Sequence, residues 1–159
     1  MTVVQKIIII SIVAVLVTAF FLLKEDADQE VHVVSTDEKL TTLYVRDIPL
    51  LVEIADTNSL RQAGLSGKPF LERGEGMFFI FDTDDVHGFW MKDMLFDIDI
   101  IWIDSSFNIV DVKENVMPES FPQIFKPRGI SRYVLEVNAG FVEEHNIKIG
   151  DSVRFDALP

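Results

Sequence analysis

A chain of 159 residues, 48% hydrophobic and 25% charged, has apolar material for one domain with a core. Its formal net charge is −12, and all 26 acidic residues lie from Glu25 onward together with 12 of the 14 basic ones, so that part carries −14. This argues against a duplex-binding surface, which needs clustered Lys and Arg, and the lack of cysteine excludes disulfides, thiolate metal sites and cysteine nucleophiles.

Ile7 to Leu23 is a run of 17 residues without a charge. Alone or extended back to Val3 it makes roughly 25 to 31 Å of helix, which just spans a bilayer. Lys6 precedes it and the acidic run Glu25-Asp26-Ala27-Asp28-Gln29-Glu30 follows, so the charge bias leaves the N-terminus in the cytoplasm and the rest outside. We therefore expect a single-pass anchor over residues 1–24, an acidic linker over 25–38 and an extracytoplasmic β domain over 39–159. A signal peptide cut after Val17-Thr18-Ala19 is the weaker reading, because it leaves Phe20-Phe21-Leu22-Leu23 at the mature end.

In the domain, Leu40 to Asp47 and Leu50 to Asp56 read as strands about Ile48-Pro49. Asp56 or Thr57 caps a short helix from Asn58 to about Leu65, stopped by Gly67-Lys68-Pro69. That Gly-Lys is no phosphate loop, since Gln62 stands at the first glycine position and Pro69 at the Ser/Thr position. The densest stretch is Gly76 to Asp104, expected as a strand over Met77 to Phe81, an acidic turn over Asp82 to Asp85, and strand again through Phe89-Trp90-Met91-Lys92 to Ile103. The acidic turn lacks calcium-loop register, with Val86 and His87 at the third-ligand and glycine positions. Asp104 to Asn108 makes a turn into a partner strand, Ile109 to Val116. Met117 to Gly129 holds Pro118, Pro122 and Pro127 and reads as an ordered loop. Ser131 to Asn138 is a strand with Val134, Glu136 and Asn138 on one face; a short helix through Phe141 to His145 and a last strand, Ser152 to Phe155, follow. The fold class is mainly β with two short helices.

Arg61 with Gly64-Leu65, Gly76-Met77-Phe78, Phe89-Trp90-Met91-Lys92, Leu95, Ile98-Asp99, Val134-Leu135-Glu136, Asn138-Ala139-Gly140 and Gly150-Asp151 stand in an order and at spacings that resemble the family known as domain of unknown function 192 (DUF192). The resemblance covers about Leu43 to Phe155. It implies a compact, mostly antiparallel β sandwich or barrel-like domain, frequently exported or anchored, and supplies no established activity. The chain departs from the family pattern at Ser66, Asp93 and Asp97, where methionine, asparagine and proline are usual.

The candidate ligand-binding residues are Arg61, Trp90, Lys92, Asp97, Asp99, Lys126, Arg128 and Glu136. Asp97 and Asp99 alternate onto one side of a strand, and Asp99 is expected to be buried and paired with Arg61 in preference to Lys92. Lys126 and Arg128 belong, with Arg132, to the one basic cluster of the acidic domain, at the end of the proline-rich loop. That loop is expected beside Trp90 to Lys92, with Lys126 and Arg128 near Asp97 and Asp99. His32, His87 and His145 are too scattered for a metal site, and no nucleophile elbow surrounds Ser66. No cofactor, metal or nucleic-acid partner is expected. The leading reading is a membrane-tethered domain that binds a small molecule, glycan or protein partner of the envelope. A hydrolase using Asp99 and Glu136, which would have to converge roughly 5 to 10 Å apart, and a pure assembly module are the alternatives.

Overall fold

Seven apolar or alternating stretches form strands in the computed structural model, which describes residues 40–155. They are β1 (Leu40–Val45), β2 (Ile48–Ala55), β3 (Glu75–Asp85), β4 (Ile98–Ile103), β5 (Ile109–Val116), β6 (Ser131–Asn138) and β7 (Val153–Phe155). All lie in one sheet of order β5-β4-β6-β3-β2-β1-β7, accompanied by two short helices, α1 (Asn58–Ala63) and α2 (Phe141–Glu144), and a 3-10 turn at Pro118–Ser120. The apolar run Ile7 to Leu23 and the acidic segment up to residue 38 lie outside the described residues. Among the described residues no helix is long and apolar enough to cross a membrane.

The sheet curls into a half-barrel rather than splitting into the two sheets of a sandwich. Its two edge strands approach each other: Ile109 N–H donates to Asp151 O at 2.9 Å, and Val153 N–H to Phe107 O at 2.8 Å. Side chains from both ends of the strand order, Val153 of β7 with Ile103 and Ile109 of β4 and β5, therefore share one inner core with Leu43, Val52, Phe78 and Leu135. One end of that core holds four packed aromatics, Phe78, Phe107, Tyr133 and Phe155, with ring centroids 4.7 to 6.0 Å apart.

Because side chains alternate, each strand of the middle of the sheet also presents an apolar outer face: Met77 and Phe79 on β3, Ile98, Ile100 and Trp102 on β4, Val134 on β6. This second core is covered by Leu65 and Leu71, by Met91 and Met94, and by Phe125 of the proline-rich loop. Burying Leu65 and Met91, each 1% exposed, contributes about 1.5–3 kcal/mol apiece. Segments with little regular structure are held on the sheet in this way.

Three expectations shift, and one strand pair is parallel within a mostly antiparallel sheet. β2 begins at Ile48, with Pro49 ahead of Leu51, the first β2 residue paired with β3, so its missing N–H breaks no ladder there. The β2–β3 pair is parallel, because the crossover that contains α1 returns the chain to the same end of the sheet; every other pair is antiparallel. β3 continues through the expected acidic turn, leaving β6 after Ile80 and rejoining it at Asp85↔Ser131. Residues 86–97 are not a strand; they cross the outer face, tied by a single bridge, Phe89↔Phe125.

Candidate functional site

α1 begins where Thr57 Oγ1 accepts from Leu60 N–H at 3.2 Å and ends at Gly64, whose φ of +52° suits a residue without a β-carbon. Its last turn carries Arg61. Nη1 donates to Asp56 O at 2.8 Å and to Ile80 O at 2.6 Å, the guanidinium lies 5.4 Å above the Phe81 ring, and Nη2 is 3.6 Å from Asp82 Oδ2. Arg61 thus fastens the helix to β3 where β3 bulges from the sheet.

Past Gly64 the chain is tied to the segment that crosses the outer face. Ser66 Oγ donates to Lys92 O, and Gly67 N–H to Asp93 O, both at 2.8 Å. Two of the three departures from the family pattern, Ser66 and Asp93, meet at this joint. Upstream of it Phe89 packs edge-on against Phe79 at 4.9 Å, while Phe81 stacks on His87 at 3.6 Å and Trp102 Nε1 donates to His87 O. The loop over 117–129 lies beside this segment, as expected. Phe89 and Phe125 exchange both backbone hydrogen bonds, at 2.9 and 2.8 Å, and Phe121 meets Trp90 edge-on at 6.1 Å. Gly88 permits the approach: a β-carbon there would stand 2.8 Å from Ile124 Cγ2.

Between α1 and the Gly88–Trp90 segment lies a cleft of about 130 Å³. Phe79, Phe81, Phe89, Trp90 and Met94 give it aromatic and thioether walls, Arg61 stands at its α1 side, and Glu136 of β6 lines it from the sheet. Glu136 faces Met77 and Ile100 across the neighbouring strands, so neither offers it a donor. It is 4% exposed, and its Oε2 has no hydrogen-bond partner among the described residues. Burial pushes the Glu136 carboxyl up to about 8, so at pH 7 it is mostly the neutral acid.

The other buried carboxylate of the central strands is handled in the opposite way. Asp99 is fully buried, as expected, but among the described residues no cation is paired with it. Its Oδ1 accepts Asn115 N–H at 2.8 Å and its Oδ2 accepts Val142 N–H at 2.9 Å. Both donors exist for structural reasons: Asn115 has φ +51° in a β5 bulge, and Val142 lies in the first turn of α2, where N–H groups lack helical partners. The expected partner Arg61 serves Asp56, Ile80 and Asp82 instead, and Lys92 lies 4.0 Å from the exposed Asp93. Asp99 pairs with Val137 in the β4–β6 register while Glu136 pairs with Ile100, so the two carboxylates point to opposite faces of one sheet. They cannot converge as a hydrolytic pair.

Of the remaining candidates, Trp90 lines the cleft and Asp97 is exposed ahead of β4, its carbonyl accepting from Ala139 N–H at 3.3 Å. It therefore shares no strand face with Asp99. The basic cluster is dispersed. Arg128 binds Asp111 through Nε and Nη2, the latter at 2.7 Å, and that guanidinium holds the Asp111 carboxyl below the usual carboxylate range against the opposing effect of burial. Arg132 pairs with Asp84 at 3.3 Å, and Lys126 borders a separate groove beside Trp102 and Asp111. Neither Lys126 nor Arg128 is placed with Asp97 or Asp99. A larger, more open cleft of about 450 Å³ lies between Pro49, Arg73, Asn138 and Glu144. There Arg73 is paired with Glu144 and Asn138 Nδ2 donates to Leu71 O and Glu72 O, so no buried polar atom is left over. The smaller cleft is the better site because, among the described residues, Glu136 Oε2 is the buried side-chain oxygen left without a partner.

Comparison with known proteins follows the same region of the chain. The DUF192 family model, described as "Uncharacterized ACR", matches residues 25–155. A UPF0127 protein of Thermococcus sibiricus is 32% identical over 110 residues, which is 66% of this chain and 66% of that protein, just under two thirds. The UPF0127 protein of Pyrococcus horikoshii is 31% identical over 109 residues, 65% of this chain and 86% of its own length. Among solved structures, a "putative transcription regulator" of Sinorhizobium meliloti is similar at 30% identity and a TM-score of 0.68, over 75% of this chain and 94% of that one. A protein of unknown function from Novosphingobium aromaticivorans is similar at 26% identity and a TM-score of 0.66, over 73% of this chain and 84% of that one.

Proposed function

The chain belongs to the DUF192 family, and on that premise we propose that it is a membrane-tethered, extracytoplasmic binding domain whose ligand enters the cleft between α1 and the Gly88–Trp90 segment. One observation carries the binding reading: Glu136, 4% exposed, leaves Oε2 without a partner in a cleft with aromatic walls. A buried polar atom left unsatisfied costs about 1–3 kcal/mol, and a ligand that satisfies it recovers that cost. We read the site as a binding site: Asp99 points to the opposite face of the sheet from Glu136, so the two-carboxylate hydrolysis has no support.

Tethering is supported by the apolar run Ile7 to Leu23 and the charge asymmetry on either side of it, with residues 25–38 as the linker. No nucleic-acid partner is proposed, and the regulator name of the Sinorhizobium protein is not carried over, since residues from Glu25 onward have a charge of −14. An assembly role has one supporting feature: Trp90, Phe121 and Ile124 are 48%, 44% and 52% exposed beside the cleft.

A thermal-shift screen of the full-length chain in detergent tests the binding reading, since a ligand of the folded state raises its stability. Stabilisation that disappears in Glu136→Gln is expected. Compounds that stabilise both forms equally count against the cleft, and self-association lost in a Trp90→Ser, Phe121→Ser variant favours assembly. Mass spectrometry of the membrane fraction tests the tether: a mature chain starting near Phe20 overturns it.

A further inference from the structure

We infer that the cleft takes a small organic cation, the head of a primary alkylammonium, with its N–H groups on the Glu136 carboxyl and its carbon chain between Phe89 and Trp90. The inference rests on the site reading above and names the ligand class for it.

Size narrows the class first. A cleft of about 130 Å³ is well under the roughly 300 Å³ at which pockets for drug-sized ligands begin, so it holds a head group and not a sugar ring with its neighbours. Chemistry narrows it next. Among the described residues the one buried side-chain polar atom without a partner belongs to an acid, and aromatic faces attract a cation through the ring quadrupole. An anion finds little to hold it. Arg61 is the arginine among the lining residues, and its Nη1 already serves two backbone carbonyls while Nη2 serves Asn58 and faces Asp82. The same contacts, with Asp82 at 3.6 Å, offset the charge that Arg61 would otherwise set against an entering ammonium. The surplus of acid in the chain from Glu25 onward raises the local concentration of cations and lowers that of anions. An ammonium held here would meet one carboxylate oxygen and two aromatic walls, which is how buried sites bind amines.

Proton release separates this from other occupants. Free Glu136 is mostly protonated at pH 7, so an ammonium that pairs with its carboxylate must expel the proton to solvent. Titration calorimetry of the full-length chain with ethylammonium, repeated in buffers of different ionisation enthalpy, should show about one proton released per ligand bound at pH 7. Acetamide and acetate serve as neutral and anionic probes of similar size and should not bind. Glu136→Gln should lose ethylammonium binding and proton release together. Trp90→Ala, at a half-exposed position where folding is not at risk, should weaken ethylammonium about three- to tenfold. Acetamide bound without proton release, and displaced in Glu136→Gln, overturns the ammonium inference and leaves the cleft as the site. Failure of all three probes to bind, with Glu136 resonances unmoved, overturns the site reading as well.

Discussion

Asp99 and Glu136 sit on adjacent strands, both buried, and differ in what meets their oxygens. Asp99 points into the inner core, where two backbone N–H groups left over by a bulge and a helix start converge on it. Glu136 points to the outer face, where its cross-strand neighbours are Met77 and Ile100 and one oxygen stays unanswered. A buried carboxylate that closes off stray backbone donors is part of the scaffold. One that the scaffold leaves unsatisfied, in a residue that lines a cleft, is where a ligand has something to gain.

The largest expected effect tests the scaffold half of the contrast. Asp99→Ala should destabilise the domain by about 3–5 kcal/mol in urea denaturation, because Asn115 and Val142 N–H would be left without acceptors. Asp99→Asn should cost less, since the amide oxygen still accepts one of them. Equal and small losses for both variants would place Asp99 outside the scaffold.

Glu136 should show the opposite sign at alkaline pH. The folded protein keeps the Glu136 proton up to about pH 8 whereas the unfolded chain releases it near 4.5, so between these values the native state binds the extra proton. The contribution of this group is full below about pH 4.5 and is lost as pH rises toward 8. Glu136→Gln should remove that slope and stabilise the protein above pH 8 by roughly 2–4 kcal/mol. An unchanged slope in the variant would mean that another group is responsible.

A smaller effect concerns the close approach of β3 to β6. A β-carbon at Gly76 would stand 2.8 Å from Glu136 O, so Gly76→Ala should cost about 1–3 kcal/mol and disturb the strand that presents Glu136. Hydrogen exchange should show the loss of protection centred on β6 and its β3 partner. Smallest of all, Arg128→Ala should lower the melting temperature at neutral pH only slightly, since the Arg128 side chain is largely exposed. It should also move the acid-induced transition toward higher pH. Asp111 owes its lowered value first to Arg128, its contribution is present above the unfolded carboxylate range, and it is lost as pH falls through the folded value. An acid transition that does not move would show that the backbone donors of Arg128 and Val112 suffice to hold Asp111.

Much of the fold was legible from local pattern. The strands at 109–116 and 131–138 stand where alternation predicts, and the cap at Thr57 where a capping residue does; the short helix Phe141–Glu144 is in place but starts at Gly140 without a side-chain cap. Alternation also set Val134 and Glu136 on one face of β6. What it does not carry is non-local. The parallel β2–β3 pair depends on the hand and length of a crossover, and the segment 86–97 leaves strand geometry because its apolar residues cover a sheet instead of joining it.

The site was legible in part for the same reason. Glu136, Arg61 and Trp90 come together, but no short-range signal shows that Glu136 would lack a donor. Asp99 was expected to find a cation because side chains are the partners a sequence displays. Its actual partners are backbone N–H groups 16 and 43 residues away, which become donors only after β5 bulges and α2 starts.

The most direct measurement is a carbon-13 NMR titration of the glutamate side-chain carboxyls in the full-length protein, with Glu136 assigned by its loss in Glu136→Gln. We predict one resonance with a midpoint near pH 8, shifted to lower pH when ethylammonium is added. If Glu136 titrates with the exposed glutamates near 4.5 and does not respond to ethylammonium, the carboxyl is solvated, and the central contrast between the two faces of the sheet is wrong.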